Sequence, residues 1–289
     1  MNGSRPEGDP LVSVLMPVYN GEQFIREAIE SVQAQTVTDW ELLVVDDGSS
    51  DSSRGIVEQI AAEDVRVRLF ATGESGSGAA CARNVGLEVA RGRYVGFLDC
   101  DDAWLPHKLE RQLALLEASG AGLAFGAYER VDETGKTLGA VGVPVCVDYA
   151  SLLKTNYIGC LTAIYDIQVF GKVPMVVDLA CHEDYPLWLR LLRDGGAAVG
   201  VREPVARYRV RAGSLSSNKL KTSQQTWRVY RELEGLSLVR SVWSFVNQTG
   251  RALVRNRLPS LARRLGWLHA VGGAWIEVAT GPFGPRNDR

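Results

Sequence analysis

Tyr94-Val95-Gly96-Phe97-Leu98-Asp99-Cys100-Asp101-Asp102 runs five mostly apolar residues straight into three carboxylates. A short apolar run of this kind reads as a strand of a sheet covered on both faces. The acids then stand where the strand leaves the core, the edge at which open α/β sheets bind ligands. Three anionic groups so close repel one another, and a divalent cation with hard oxygen ligands, Mg²⁺ or Mn²⁺, relieves that repulsion. Such a cation takes one or two carboxylates and fills its shell with substrate phosphates. The competing reading is a solvated acidic loop that caps a helix starting near Pro106.

The chain around this stretch has a strand–helix rhythm. Leu11 to Met16 reads as a strand that stops at Pro17, and Gly21 to Gln35 as a helix. Glu41 to Val45 is the second strand and Ser52 to Ala62 the second helix. Val65 to Phe70 is the third strand, and the glycine- and serine-rich Gly73 to Gly78 leads into a helix from Ala79 to Ala90, with Gly92 as its C-cap glycine. A fourth helix spans Pro106 to Ala118. Four strand–helix units in about 120 residues predict a parallel α/β sheet whose strand ends share one edge.

Beyond this point the pattern changes. Gly122 to Val131 and Thr137 to Val143 flank Asp132-Glu133-Thr134-Gly135-Lys136, a hairpin signature. Cys160 to Tyr165 reads as a strand, His182 to Arg193 as a helix, Ala197 to Val210 as one or two strands, and Lys219 to about His269 as helical.

Bulk properties exclude several classes. The 289 residues are 46% hydrophobic and 23% charged with a formal charge of −2, which argues against nucleic acid as a general partner. Cys81, Cys100, Cys146, Cys160 and Cys181 form no C-x-x-C, which suits free thiols in a reducing compartment. The polar Met1 to Pro10 has no apolar h-region, and no apolar run approaches the length of a spanning helix. A cytoplasmic protein is expected.

Three clusters have rival readings. Asp46-Asp47-Gly48-Ser49-Ser50-Asp51 can be a turn with an N-cap, but the second acid is surplus to capping, so Asp47 is read as a ligand contact able to accept from a pyrimidine N–H. Gly76-Ser77-Gly78-Ala79-Ala80-Cys81 partly matches a dinucleotide loop, with Asp99 about twenty residues on. Its third glycine is replaced by Cys81, and it follows the third strand instead of the first. His182-Glu183-Asp184 opens a helix and suits capping. No H-E-x-x-H or G-x-S-x-G is present.

Five blocks together resemble family 2 glycosyltransferases: Val12 to Gly21 (VSVLMPVYNG), Val44 to Ser49 (VVDDGS), Ala82 to Gly86 (ARNVG), Phe97 to Trp104 (FLDCDDAW) and Glu183 to Arg190 (EDYPLWLR). The resemblance covers roughly residues 11 to 217. It implies an α/β GT-A fold: a Rossmann-like, mostly parallel sheet flanked by helices, with a mixed acceptor half and a C-terminal helical extension. The expected boundaries are a flexible 1–10, a catalytic domain over 11–217 divided near 120 into nucleotide-sugar and acceptor halves, and an extension over 218–289.

By residue, the resemblance implies that Pro17, Tyr19 and Asp47 line the nucleobase and that Asp99 approaches the ribose. Asp101 would hold the divalent metal on the donor diphosphate. Arg83 and Asn84 would lie near the phosphates or brace the site. Asp184 would be the general base of an inverting transfer, with Glu183 beside it on the acceptor or the helix. The donor would be a nucleotide-diphospho-sugar, a UDP-sugar above all, and the acceptor a glycan or lipid-linked hydroxyl in polysaccharide, cell-envelope or glycolipid synthesis. The chain departs from the family at Tyr208 to Ser216. A histidine often stands at the position of Arg211, and an arginine pairs with phosphate but does not ligate metal.

Two other functions compete: an NAD-type oxidoreductase reading the Gly76 loop, and a sugar-nucleotide-binding protein without catalysis. The tail from Arg251 to His269 has five arginines and no acid among interleaved leucines. It suits either peripheral contact at the inner face of a membrane or a helix pair packed on the catalytic domain.

Overall fold

The computed structural model describes residues 8–177, 179, 183–211 and 219–272, the side chains of 219–221 excepted. The expectation for residues 1–10 therefore falls mostly outside the described residues, as do His182 and Cys181.

The first half alternates as the periodicity predicts: β1 (Val12–Val18), α1 (Ile25–Gln33), β2 (Trp40–Asp46), α2 (Ser53–Glu63), β3 (Val67–Ala71), α3 (Ala79–Val89) and β4 (Tyr94–Phe97). Then follow β5 (Ala103–Trp104), α4 (Lys108–Ser119), β6 (Leu123–Val131), β7 (Thr137–Val141), β8 (Cys146–Asp148), α5 (Tyr149–Leu152), β9 (Ile164–Asp166), α6 (Ile167–Phe170), α7 (Asp184–Leu192) and β10 (Ala197–Arg209). The chain continues with α8 (Lys219–Arg228), α9 (Leu238–Arg257) and α10 (Pro259–Arg264).

One mixed sheet carries all of this, in the order β3-β2-β1-β4-β9-β6-β10-β5, with β7 on β6 and β8 on β10. β3, β2, β1 and β4 are mutually parallel. β9 runs antiparallel between β4 and β6 and joins the halves. Every residue of β1 and β2 is buried, as the sequence requires of strands covered on both faces. The second face of the sheet packs Phe97 against Trp188 of α7, ring centroids 5.6 Å apart.

The structure corrects several expectations. β1 does not stop at Pro17 but continues to Val18, pairing with β2. Leu15 gives its carbonyl to Leu98 N–H on the β4 side. Pro17, two residues on, turns its missing N–H to that same side, where β4 has already ended, so no ladder bond is lost. Gly92 is no helix cap. α3 ends at Val89 with an extended Ala90 behind it. A Cβ at Gly92 would stand 2.5 Å from Ser13 N, so glycine is there to let two backbones approach. Cys160–Thr162 is a 3₁₀ turn, and the strand begins only at Ile164. Ala197 to Arg209 is a single strand whose register shifts around Pro204, a residue that cannot donate to the ladder. The helical tail is interrupted between Leu233 and Leu238 as well as near Pro259.

Lys108 opens α4 fully buried, bonded to Gln112 and to Thr162 O, with its ammonium 4.3 Å over the Trp104 ring. Burial pushes its amine down to about 7. The unfolded chain therefore holds a proton that the folded one releases, and stability rises with pH from about 7 toward the ordinary lysine range near ~10.4. The Lys108→Met variant is expected to lose that rise, so that the wild-type gain in urea midpoint between neutral and alkaline pH flattens.

Candidate active site

The carboxyl ends of β1, β2, β3 and β4 meet at one edge, and hydrogen bonds lace their loops together. Asn20, in the left-handed region at φ 49°, accepts from Ser50 N–H through Oδ1 at 2.8 Å. Gly21 N–H donates to Ser53 Oγ at 2.8 Å. Tyr19 stands at this edge with its side chain more than half exposed, whereas Pro17 is buried in the strand.

Asp47 follows β2 at this same edge. It is buried, and its carboxylate accepts from Thr72 Oγ1 at 2.7 Å, Ser77 N–H at 3.0 Å and Gly78 N–H at 2.8 Å. It ties the 72–78 loop to the sheet edge. The same bonds undo the dinucleotide reading of that loop, because the amides that would cradle a pyrophosphate already serve Asp47. Asp46 closes the turn, accepting from Ser49 N–H at 3.0 Å.

The acids after β4 are handled one by one. Asp102 is buried and accepts from Arg209 N–H at 2.8 Å. Burial and the neighbouring Asp99 and Asp101 push its carboxyl well above the usual range. Asp101 turns its carboxylate to Arg211, Oδ2 to Nη1 3.1 Å, with both side chains partly exposed. Asp99 pairs with Arg83. Burial raises the Asp99 carboxyl, with Asp101 and Glu183 adding to the rise against the pull of Arg83. The half-buried Cys100 thiol is pushed up to about 12 by desolvation and by the neighbouring Asp101 and Asp99, and stays protonated.

Arg83 ties the two halves of the molecule together. It lies on α3, 3% exposed, with Nη2 on Asp99 and Nη1 on Glu183 Oε1 at 2.8 Å. Glu183 directly precedes α7, and Asp184 is that helix's first residue. The half-buried Cys160 thiol is raised chiefly by desolvation, with Asp99, Asp184 and Glu183 adding to the rise against the pull of Arg83. The carboxylates of the β4 loop and those of α7 therefore share one neighbourhood. Asn84 braces the same region: Nδ2 donates to Met175 O at 2.9 Å, and Oδ1 accepts from Met175 N–H at 2.8 Å.

Arg209 was missed in the sequence. It is 5% exposed. Its backbone N–H holds Asp102, its Nε donates to Asp101 O at 2.9 Å, and its Nη2 pairs with Glu27 at 2.7 Å. The signal was present: Arg209 and Arg211 alternate on an extended segment and so share a face. Both lie over the Phe24 ring, at 4.6 and 5.3 Å.

Comparison with known proteins agrees with this arrangement. The family description "Glycosyl transferase family 2" matches residues 13–143. The chain is 40% identical over 250 residues to the putative teichuronic acid biosynthesis glycosyltransferase TuaG of Bacillus subtilis (strain 168), spanning 86% of this chain and 98% of that protein. It is 39% identical over 222 residues to the UDP-Glc:alpha-D-GlcNAc-diphosphoundecaprenol beta-1,3-glucosyltransferase WfgD of Escherichia coli, spanning 76% and 85%. Among solved structures, S. aureus TarS 1-349 in complex with UDP-GlcNAc superposes with TM-score 0.68 at 19% identity, over 88% of this chain and 75% of that one. The mannosyltransferase PcManGT from Pyrobaculum calidifontis, in complex with GDP-Man and Mn²⁺, does so with TM-score 0.61 at 18% identity, over 90% and 80%. These neighbours share the GT-A fold with it. With its edge of acids bridged to α7 by Arg83, and with 98% of TuaG matched at 40% identity, the chain belongs to glycosyltransferase family 2.

Proposed function

We propose that the protein is an inverting, metal-dependent glycosyltransferase that moves a sugar from a UDP-sugar to a hydroxyl of a glycan or lipid-linked acceptor in envelope polysaccharide or glycolipid synthesis. The observation that carries this reading is the Arg83 bridge, which sets Glu183 and the adjacent Asp184 across from Asp99 and its neighbour Asp101. The donor class and acceptor class are supported by relatives named for UDP-Glc and a diphosphoundecaprenol acceptor. A cytoplasmic setting is supported by the free thiols Cys81, Cys100, Cys146 and Cys160. Residues 11–217 are read as the catalytic unit and 218–289 as an extension.

The donor set suits a metal held largely by substrate. Asp99 is engaged by Arg83 and Asp102 by Arg209 N–H, leaving Asp101 toward the cleft beside Arg211. Among the described residues no three His, Cys, Asp or Glu side chains form a ready cage. One carboxylate plus phosphate oxygens is how Mg²⁺ or Mn²⁺ is commonly bound. When bound at Asp101, the metal supplies Lewis-acid stabilisation of the departing diphosphate. Asp184 takes the proton from the acceptor hydroxyl as that oxygen bonds to the anomeric carbon and the carbon–phosphate-oxygen bond breaks. Arg211 adds positive charge beside the diphosphate, and Tyr19 offers its ring to the nucleobase. No covalent intermediate is required.

The test is donor binding by calorimetry with and without Mn²⁺. Asp101→Ala is expected to remove the Mn²⁺-dependent part of UDP-sugar affinity, a loss of about tenfold or more. Binding that is unchanged by either the metal or the substitution overturns the metal assignment. Tight NAD binding would restore the oxidoreductase, and donor binding without any transfer would leave a binding protein.

A further inference from the structure

α9 is folded onto the protein the wrong way round for a soluble helix. Its buried residues are Ser241 and Ser244, and Gln248 on the same side bonds to Tyr230. Its outer face carries Val239, Val242, Trp243, Val246 and Leu253, all exposed. These stand at i, i+3, i+4, i+7 and i+14, one stripe along the helix. An ordinary surface helix buries such a stripe and gives its serines and glutamine to water. Here Val239, Val242, Trp243 and Val246, with Leu238, line a shallow apolar groove. The sequence places the basic apolar segment at Arg251 to His269; the exposed face begins earlier, at Val239, and runs on into it.

Charge says what covers the stripe. From Leu238 to His269 the chain holds six arginines and no aspartate or glutamate. Arg240, Arg257, Arg263 and Arg264 are exposed, and α10 adds exposed Leu258, Leu261 and Leu265 at i, i+3 and i+7. A second copy docked on this face by two-fold symmetry would set arginine against arginine with no acid to pair. An anionic surface meets the same arginines favourably. Trp243, with Lys154 Nζ 5.2 Å over its ring, is an aromatic residue that suits a boundary between hydrocarbon and water. Among the described residues no helix is long and apolar enough to cross a membrane.

We propose that α9 and α10 form an in-plane docking surface for an anionic lipid bilayer, with the Val239–Leu253 stripe entering the acyl boundary and the exposed arginines meeting the headgroups. The surface stands on its own residues and does not depend on the transfer reaction. Flotation of the full chain with phosphatidylcholine vesicles, alone or mixed with phosphatidylglycerol, tests it without any activity assay. The protein is expected to float with the mixed vesicles about tenfold more than with phosphatidylcholine alone, and to be released by salt. Val242→Asp with Val246→Asp should abolish flotation on both. Arg263→Glu with Arg264→Glu should remove the preference for anionic lipid. Neither pair should lower the melting temperature, since all four side chains are exposed. Absence of flotation from the mixed vesicles, or flotation that survives both variants, overturns the proposal. So does a lipid-free dimer in sedimentation equilibrium that Val246→Asp dissociates, because the face would then belong to a second copy.

Discussion

Asp184→Asn is expected to lower turnover about 10²–10⁴-fold while leaving UDP-sugar affinity within a factor of about two. Asparagine keeps the size and hydrogen-bonding reach of the side chain but cannot take a proton from the acceptor hydroxyl. The loss should fall on kcat, because Asp184 begins α7 and the proposed function assigns it to the acceptor and assigns the donor to the β1, β2 and β4 loops. Single-turnover transfer and equilibrium donor binding, measured on the same preparation, separate these effects. Glu183→Gln is the instructive control: it weakens the contact to Arg83 at 2.8 Å and should soften the protein while preserving more activity than Asp184→Asn. Normal turnover in Asp184→Asn would move the base elsewhere.

Arg83→Met has the largest expected effect on stability. Arg83 is buried, and its guanidinium is shared between Asp99 and Glu183, so the substitution leaves two carboxylates facing each other without a cation. Removing one partner of a buried ionic network typically costs 3–5 kcal/mol, which lowers a melting temperature by on the order of 10 °C. The pH dependence identifies the cause. Asp99 already sits above the usual carboxylate range because of burial, with Arg83 restraining the rise. Without Arg83 its folded-state carboxyl climbs further above its unfolded value, so the folded variant holds a proton that the unfolded chain gives up. Stability linked to such a group is present below the unfolded carboxylate range and is lost as pH rises through the higher folded value. The deficit against wild type should therefore be smallest in mild acid and grow toward neutral pH. A deficit independent of pH would mean that packing, and not the bridge, is what Arg83 supplies.

The sequence made the parallel β1–β4 core legible because each strand is a mainly apolar run ended by turn residues, and α1 between the first two shows a clean stripe. The hairpin at Asp132–Lys136 was equally plain, since Asp132 N–H to Lys136 O and Gly135 N–H to Asp132 O are local bonds. What escaped was decided at long range. Pro17 reads locally as a stop, yet it is tolerated because a neighbouring strand has ended. Gly92 looks like a cap, but the constraint on it comes from Ser13, 79 positions away. The bonds of Asp47 to the 72–78 loop depend on Ser77 and Gly78, 30 and 31 positions away. Arg209 gathers Asp101, Asp102 and Glu27 from segments that share no local pattern with it. The outward turn of α9 is likewise set by how Tyr230 holds Gln248 and Trp227 packs on Phe245, which the helix's own stripe does not reveal.

The antiparallel β9 carries a consequence for the nascent chain. β4 finishes at Phe97, but the strand that zips onto it is Ile164–Asp166, some seventy residues later. At a synthesis rate of about 5–20 residues per second, that edge waits roughly 3–14 s for its partner to leave the ribosome. During this interval the first four strands can already associate, while an unpaired backbone row stands open to other chains. Yield at elevated expression temperature should accordingly be governed by how well that bare margin is shielded until Ile164 arrives.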